Sequence, residues 1–446
     1  MKAALTSTPP LPAFVSRHPL APLFDPGTIR ARCGAILAAV ENNVSGHFTV
    51  VRSQLPATAD RVARLTRERF PDLQIPYHSR WRHFEAGGID RKALLDARLA
   101  GCEPAEAARV RIDLTVVAVL LDAGAGGGWH YIDGTHREPG SAEASPEGRT
   151  FRRSEGLGVA CFNAFMQGAF SDDSGAPLRA DAAALERVDL ATLRPLFQAS
   201  AANPLVGLEG RVGLLQRLGA ALKDAAAGTD LPARPGLLFD RVTAGGTRSS
   251  VTATELLDQV LRLLGPIWTS GSRVQSLLAG DVWPHLWAGD GIGKAAAAVV
   301  GRERDATTAG WVPFHKLSQW LTFSLLEPLQ WAGIEVTGLD ALTGLAEYRN
   351  GGLLIDAGVI VPRNPRMLER TWKPQDDAIV EWRALTVALL DELAVLVRER
   401  LDRSPEQLPL ACILEGGTWA AGREIAAEKR ADGVPPLRID SDGTVF

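Results

Sequence analysis

The sequence predicts a mainly α-helical protein with a small β element near its C-terminus. Apolar side chains recur every three to four residues through most of the chain, which is the spacing of one helix face. Few segments show the alternation of apolar and polar residues that a half-buried strand has. The chain has 446 residues, of which 46% are hydrophobic and 22% are charged, and this composition is ordinary for a globular protein with a large core.

The predicted helices follow one another along the chain with short connections. The run 104–121 is rich enough in β-branched residues to be either a helix or a buried strand. The segment 436–446 alternates around Asp442 and Gly443, which predicts a β-hairpin. The helices are expected at 28–44, 57–70, 92–100, 104–121, 156–170, 181–188, 192–199, 207–225, 252–264, 313–327, 338–349, 352–358, 377–401 and 405–428.

The pattern divides the chain into an arm and one domain. Residues 1–26 are rich in proline and predict an N-terminal arm. Residues 27–446 predict a single mainly helical catalytic domain. We expect two lobes within it, 110–240 and 241–446, with a cleft between them.

Charge and cysteine usage argue against several classes of protein. A net charge of −4 gives no basic footprint for nucleic acid, and no apolar run approaches the roughly 18 residues of a membrane span. Prolines near the N-terminus interrupt any signal-like core, so we expect a cytoplasmic protein. The cysteines form no C-x-x-C pair, which predicts reduced, buried thiols at Cys33, Cys102, Cys161 and Cys412.

The sequence predicts neither a protein-bound metal nor a cofactor. The eight histidines form no H-x-x-x-H or H-x-H pair, and the carboxylates show no metal-ligand spacing. The run Gly289 to Lys294 resembles a phosphate loop superficially, but Ala295 stands where a magnesium-binding hydroxyl belongs. We therefore expect only a turn before a helix at that position.

The segment Asp122 to Gly128 is a Gly-rich turn after an apolar run. Such a turn after a strand is typical of S-adenosylmethionine and dinucleotide sites, but those sites need a helix directly after the glycines. Here the glycines lead into Trp129, His130 and Tyr131. These rings suit either stacking on a planar ligand or covering the core edge.

Lys316 is a candidate functional residue on the predicted helix 313–327. It is one of seven lysines among 48 basic residues, and an amine shifts its proton affinity on burial whereas a guanidinium does not. The apolar stripe of this helix excludes Lys316, which shares a second face with Trp320, Phe323 and Glu327. A lysine among large rings either reaches to water or lines a pocket.

An acidic, aromatic and basic triplet, Glu347-Tyr348-Arg349, is expected at the end of the next helix, 338–349. Thr337 and Asp340 are expected to cap this helix, and two glycines after Asn350 are expected to end it. Glu347 would then lie at a pocket wall. The alternative is that both helices are ordinary core.

Several segments, in the same order, resemble the queuosine-salvage family, which hydrolyses the N-glycosidic bond of queuosine monophosphate. This resemblance implies an architecture like that of the helical DNA glycosylases. The segments are Asp122-Ala123 with Trp129, the Gly-rich run 156–170 with Asn163, the run 204–215, F-x-K-x-x-Q around Lys316, L-T-x-x-A-E-Y-R ending at Arg349, and Glu415 to Trp419.

Over nearly its full length the chain is similar to the bacterial and fungal uracil-catabolism family, the fourth protein of a pathway that degrades uracil through a nucleotide stage. It departs from the queuosine pattern at Glu347, where those enzymes have Asp, and at Asn350-Gly351, which replaces a Pro-containing segment. The Asp122 loop is Gly-rich where theirs is bulky. These departures argue against queuine as the leaving group.

The two resemblances together imply an N-ribosyl hydrolase that cleaves the C1′–N bond of a ribosylurea-type nucleotide and releases urea and a ribose phosphate. Glu347 would act on the ribose or the water, and Lys316 on the leaving group or the 5′-phosphate. Asp122 is a second candidate carboxylate. The residues expected to contact the substrate are Trp129, His130, Asn163, Tyr348 and Arg349.

Three other classes stay open on the sequence. They are a non-enzymatic pathway protein, an S-adenosylmethionine-binding protein built on Asp122 to Gly128, and a nucleic-acid-binding glycosylase relative. The expected partner is a small nucleotide-like molecule, with neither nucleic acid nor membrane. The sequence leaves the oligomeric state open.

Overall fold

Helices form most of the structure, a computed structural model that describes residues 19–122, 124–134, 148–268, 271–274, 277–288 and 307–440. Every sheet within these ranges has two strands. The prediction of a mainly α protein is therefore confirmed, whereas the likeness to helical DNA glycosylases stays a prediction.

The N-terminal half of the described chain holds eleven of the α-helices that we number in chain order. Proline stands in the first turn of several of them, where its missing N–H has no partner to lose. They are α1 (Pro26–Glu41), α2 (Leu55–Arg69), α3 (Arg80–Phe84), α4 (Arg91–Arg98), α5 (Pro104–Leu120), α6 (Arg153–Met166), α7 (Ala182–Arg187), α8 (Leu190–Leu196), α9 (Leu208–Ala226), α10 (Leu237–Thr243) and α11 (Ala253–Leu264).

The C-terminal part holds the helices that surround the candidate site. A π-helical turn, Leu414–Thr418, joins the last two of them. They are α12 (Lys316–Trp331), α13 (Tyr348–Asp356), α14 (Asp377–Leu401), α15 (Leu410–Ile413) and α16 (Trp419–Lys429).

The strands are short and pair across long stretches of chain. The antiparallel pairs are β1 (Phe48–Val50) with β10 (Ile360–Pro362), β2 (His130–Asp133) with β3 (Arg149–Arg152), β5 (Arg273–Val274) with β6 (Leu277–Leu278), and β7 (Val282–Pro284) with β8 (Trp311–Pro313). The parallel pairs are β4 (Ser250–Thr252) with β9 (Glu335–Thr337), and β11 (Thr371–Trp372) with β12 (Arg438–Ile439).

One large apolar core runs through the helices. The long helix α14 packs against α1 and α2, and α12 packs against α5 and α11. Helix α13 lies between α14 and α16. The run 104–121 is resolved as a helix, and twelve residues of α5 are buried because it has neighbours on several sides.

The predicted helix 338–349 is wrong. Thr337 ends strand β9 instead of capping a helix, and Leu339–Ala341 forms only a 3₁₀ turn. The two glycines expected to end the helix lie inside α13, where a Cβ at Gly351 would stand 2.6 Å from the Trp382 ring. These glycines allow close helix packing, and they do not act as a stop signal.

The expected bounds of the neighbouring helix also shift. Residues 313–315 precede α12, because Trp311–Pro313 pairs with β7 as strand β8. Both faces of α12 are buried. Trp320 and Phe323, which lie off the predicted apolar stripe, are therefore buried as well.

The two ends of the chain differ from expectation where they are described. Leu20 and Leu23, within the predicted arm, are fully buried against Val274 and Val282, because their apolar side chains complete a second small cluster. The C-terminal strand β12 pairs in parallel with β11. The predicted turn at Asp442-Gly443, the phosphate-loop-like run at 289–294 and residues 1–18 lie outside the described residues.

The four cysteines are free thiols. Three are buried as predicted, but Cys102 is exposed because it lies in the turn between α4 and α5. In the part of the chain that the structure describes, no helix is both long and apolar enough to cross a membrane.

Candidate active site

Lys316 is the first residue of α12, and hydrogen bonds fix the backbone where this helix begins. The preceding residue, His315, has left-handed backbone angles (φ 46°, ψ 41°), which are uncommon for a residue with a side chain. Its buried ring donates from Nε2 to the Leu23 carbonyl at 2.8 Å and stacks on Phe24. The backbone N–H of Lys316 donates to Asp281 Oδ2 at 3.0 Å.

Glu347 is the N-cap of α13 and does not end a helix as predicted. Its two carboxylate oxygens accept the backbone N–H groups of Arg349 at 2.7 Å and Asn350 at 2.6 Å. Glutamate is not among the residues preferred at an N-cap, where shorter polar side chains dominate. Because each oxygen has a second lone pair, the capped carboxylate can still contact a ligand.

A buried ion pair joins the two segments that carry Lys316 and Glu347. The Arg383 guanidinium binds Asp281 in a bidentate manner at 2.7 and 2.8 Å. Arg383 Nε also donates to the Ala346 carbonyl at 3.1 Å, directly before Glu347. Asp281 therefore fixes the Lys316 backbone, and Arg383 fixes the chain before Glu347.

Asp281 is fully supplied with hydrogen bonds. Besides Arg383 and the Lys316 amide, it accepts the Trp283 indole N–H at 2.7 Å. Burial alone would raise the pKa of the Asp281 carboxyl, but the charge and hydrogen bonds of Arg383 lower it below its usual value. The pair therefore stays ionised and acts as a rigid link.

Lys316, Glu347 and Asp122 are close enough to interact electrostatically. Burial and the charge of Arg383 lower the pKa of Lys316, while the charges of Glu347 and Asp122 oppose this shift. Burial raises the pKa of Glu347, against the effect of its two backbone N–H partners and of Lys316. An amine that loses its proton easily thus faces a carboxyl that gains one easily.

Tyr348 is the most exposed of the residues around Glu347. It is 41% exposed, yet burial raises the pKa of its phenol. The charges of Glu347 and Asp122 also act on Tyr348, so the ring borders the same cluster.

Arg349 and Arg153 act electrostatically on Tyr348. Arg349 is buried, lies 5.5 Å from the Tyr348 ring centroid and donates to the Gly433 carbonyl at 3.0 Å. Burial lowers the pKa of Arg349, and the charges of Arg423 and Arg153 lower it further. Arg153 and Arg423 are exposed, so this side of the cluster is positively charged.

Asp122 lies against a second buried arginine. Arg80 Nη1 stands 3.2 Å from Asp122 Oδ1, 3.0 Å from His83 Nδ1 and 3.1 Å from the Ser154 carbonyl. Burial and the charge of Arg80 lower the pKa of His83 to about 4, so the imidazole is neutral at pH 7. Its Nδ1 then accepts from Arg80.

His78 and Glu415 extend the cluster toward the π-helical turn. Their side chains are 2.9 Å apart, and Glu415 also pairs with Arg69. Burial acts to raise the pKa of Glu415, but His78 and Arg69 together lower it to about 2. The charge of His78 also reaches Glu347 and His83.

The other predicted contact residues lie elsewhere. Trp129 is fully buried, donates to the Phe197 carbonyl at 3.0 Å and packs on Gly156, so it is a core residue and not a pocket wall. Asn163 donates to Tyr131 and Asp133 in a separate buried network.

His130 is half-buried on strand β2. Its backbone exchanges two hydrogen bonds with the Asn203 side chain, at 2.9 and 2.8 Å. Among the described contacts, none joins the His130 ring with Lys316 or Glu347. The structure therefore groups Lys316, Glu347, Asp122, Tyr348 and Arg349, and leaves Trp129 and Asn163 in the core.

The described residues include no group of three His, Cys, Asp or Glu side chains arranged to hold a metal ion. A surface groove of about 410 Å³ near the end of α14, around Arg398 and Asp402, contains none of the clustered residues. The cluster offers a carboxyl, an amine and a cationic rim, which suits proton transfer to and from a small anionic substrate.

Sequence reasoning missed Asp281, Arg383, Arg80 and His83. Periodicity assigns buried positions to apolar residues, so it gives no signal for a charged pair inside the core. The stretch Gln74 to Phe84, dense in His, Arg and aromatic residues, was the one visible signal for the Arg80 side.

Comparison with known proteins identifies the family. Residues 22–446 match the family described as protein of unknown function DUF1688. Uracil catabolism protein 4 of Lachancea kluyveri is 37% identical over 447 residues, which cover 94% of this chain and 97% of that protein. Protein urg3 of Schizosaccharomyces pombe is 36% identical over 440 residues, which cover 97% of this chain and 100% of that protein. The chain therefore belongs to the DUF1688 family.

Proposed function

We propose that this protein acts in uracil catabolism as an N-ribosyl hydrolase. It cleaves the C1′–N bond of a ribosylurea-type nucleotide and releases urea and a ribose phosphate. The name of the Lachancea relative supports the pathway, and the resemblance to N-glycosidases supports the type of bond.

One observation carries the proposal most directly. The Asp281–Arg383 pair fixes the chain at Lys316 and next to Glu347, and the two side chains interact. A half-buried amine and a half-buried carboxyl that are close enough to interact form an arrangement that general acid–base chemistry requires and that packing alone does not.

In the proposed reaction, water adds to C1′ while the C1′–N bond breaks. Glu347 takes a proton from the water, which its raised pKa favours, and its negative charge stabilises the positive charge that develops at C1′. The electron pair of the broken bond stays on the leaving nitrogen, which takes a proton from the Lys316 ammonium. The lowered pKa of Lys316 makes that ammonium a stronger acid. Glu347 then returns its proton to Lys316.

The 5′-phosphate binds on the arginine side in this proposal. Arg349 is buried beside Tyr348, and the charges of Arg153 and Arg423 reach it. Guanidinium groups bind phosphate oxygens in a bidentate manner, and a bound dianion relieves their mutual repulsion. We therefore expect the phosphorylated substrate to be preferred over the free riboside.

The structure argues against an S-adenosylmethionine site at Asp122. The apolar run before it is helix α5 and not a strand, and the glycines after it lead to strand β2 instead of a helix. Neither structural requirement of such a site is met.

The test is mass spectrometry of the purified protein with ribosylurea 5′-phosphate, ribosylurea, UMP and uridine. We expect free urea from the first compound, less from the second and no base from the others. Glu347→Gln should lose about 10²–10³ in kcat, equivalent to about 2.7–4 kcal/mol, because one preorganised group is removed.

Glu347→Gln needs its own stability control, because the residue also caps α13. The amide can accept only one of the two backbone N–H groups, so we expect it to cost about 1 kcal/mol of unfolding free energy. Glu103→Gln is a matched surface control, since this exposed glutamate is the N-cap of α5 and makes no side-chain hydrogen bond to its helix. Turnover of Glu347→Gln equal to that of the unmodified protein would refute the assignment.

A further inference from the structure

Two N–H groups of Arg80 have no partner although the residue is 0% exposed. Its Nη1 makes all of the described contacts, with Asp122, His83 and Ser154. Its Nε and Nη2 have no hydrogen-bond acceptor. These two N–H groups point the same way along one edge of the guanidinium, so they form an unused bidentate fork.

Two more unpartnered polar atoms belong to residues that contact the Arg80 guanidinium. Trp320 is 7% exposed, its ring centroid is 5.8 Å from the Arg80 guanidinium carbon, and its indole N–H has no acceptor. Asp122 Oδ1 is 3.2 Å from Arg80 Nη1, yet it accepts no well-oriented hydrogen bond. Buried polar atoms normally have partners, so four orphans at one place require an explanation.

A purely structural role explains this arrangement poorly. Arg80 could simply tie α3 to the end of α5 and the start of α6. Arg383, which is as deeply buried, uses its whole guanidinium in such a role.

The pattern of orphans defines the chemistry of a ligand. Three N–H donors, two from Arg80 and one from Trp320, call for oxygen acceptors. The Asp122 carboxylate calls for a donor and repels an anion. A planar group with a carbonyl oxygen on one side and an N–H on the other satisfies both, whereas a carboxylate or a phosphate does not.

We propose that Arg80, Trp320 and Asp122 form a subsite for a carbamoyl or ureido group. The carbonyl oxygen accepts from the Arg80 fork and the Trp320 indole, and the amide N–H donates to Asp122. The subsite rests on the proposed function only for its role in the reaction. That role is to hold the urea end of the substrate and to stabilise the charge that develops on the leaving group. Trp320 and Asp122 thereby determine leaving-group specificity.

The test observes the Trp320 indole N–H directly and does not need turnover. The full chain is labelled with ¹⁵N, and the Trp320 signal is identified as the indole signal that disappears in Trp320→Phe. N-methylurea, sodium acetate and inorganic phosphate are then added separately to the same sample, below concentrations that unfold the protein. The other indole signals report whether the fold is intact.

We expect N-methylurea alone to shift the Trp320 signal, and we expect Asp122→Asn and Arg80→Lys to weaken that response at least tenfold. A shift with acetate or phosphate in place of N-methylurea would overturn the proposal in favour of an oxyanion site. No shift with any of the three would overturn it as well.

The same variants separate this inference from the proposed function. If ribosylurea 5′-phosphate is a substrate, Trp320→Phe should lower kcat/KM about tenfold, the effect of one missing hydrogen bond. Binding of N-methylurea without hydrolysis of any riboside would refute the proposed function alone. Hydrolysis with an unresponsive Trp320 would refute the subsite alone.

Discussion

Two buried arginine–aspartate pairs lie on either side of the candidate site, and they differ in how completely they are hydrogen-bonded. Arg383 and Asp281 have side chains 1% and 6% exposed, and their described contacts leave neither without partners. Arg80 and Asp122 are as deeply buried, at 0% and 8%, yet three of their polar atoms have no partner.

On the proposal above, the difference distinguishes a structural pair from a binding pair. Burying two charges costs several kcal/mol, and only good geometry and further hydrogen bonds offset that cost. The Asp281–Arg383 pair meets this condition within the protein. In the proposed subsite, the Arg80–Asp122 pair would meet it only when a ligand supplies the missing partners.

The largest expected effect is on stability, and it tests the comparison directly. Arg383→Leu leaves Asp281 buried and unpaired and should cost about 3–5 kcal/mol of unfolding free energy. Arg80→Leu also leaves Asp122 unpaired, but it removes two N–H groups that were buried without acceptors, so it should cost less than Arg383→Leu does. The measurement is the denaturation midpoint in guanidinium chloride at pH 7.

Equal losses for the two leucine variants would contradict this view of the pairs. Arg187→Leu serves as the control, because the side chains of its ion pair with Asp172 are 61% and 49% exposed. An ion pair of that kind is worth about 0–1 kcal/mol.

A second effect, of at most about 3 kcal/mol, depends on pH and comes from His83 on the Arg80 side. The folded pKa of His83 is about 4, below its ordinary value, because of burial and the charge of Arg80. Between that value and about 6.5 the unfolded chain binds the extra proton, so His83 makes stability fall as pH falls. Above about pH 6.5 it has no effect.

His83→Asn should remove this pH dependence, since the amide oxygen can accept from Arg80 as the ring does. The measured quantity is the difference in denaturation midpoint between the variant and the unmodified protein from pH 7 to pH 4. The midpoints of the two proteins must be compared because burial also lowers the pKa of His315. His315 changes the stability of both proteins in the same direction, so its contribution cancels in the difference. A constant difference across this range would show that His83 does not titrate as proposed.

The sequence predicted the helical class well because apolar periodicity reports which helix faces are buried. It failed between Thr337 and Asn350, where turn chemistry seemed to indicate a helix. Thr337 pairs in β9, and Gly351 serves the packing of α13 against Trp382. A glycine at a close helix contact and a glycine that stops a helix look the same without the partner helix.

The candidate site shows the same limit. Lys316 and Glu347 stood out in the sequence because lysine is rare and the triplet is unusual. The residue that joins them, Asp281, has no local signal, since its partner Arg383 is 102 positions away along the chain. Trp129 appeared to be a ring at a loop mouth, but the Phe197 carbonyl holds it in the core.

The smallest expected effect gives the sharpest comparison, because the same substitution, tryptophan to phenylalanine, is made beside each arginine–aspartate pair. Trp283→Phe removes an indole N–H that donates to Asp281 at 2.7 Å, and a hydrogen bond to a charged group is worth about 1.5–3 kcal/mol. Trp320→Phe removes an indole N–H with no acceptor, so its stability should change by about 1 kcal/mol or less, from lost packing alone. Since both changes remove similar volume, the difference between the two midpoints isolates the hydrogen bond.

If Trp320→Phe destabilised the ligand-free protein as much as Trp283→Phe does, the Trp320 N–H would already have a partner inside the fold. The Arg80 side would then be as complete as the Arg383 side, and no place would remain for the urea end of a substrate.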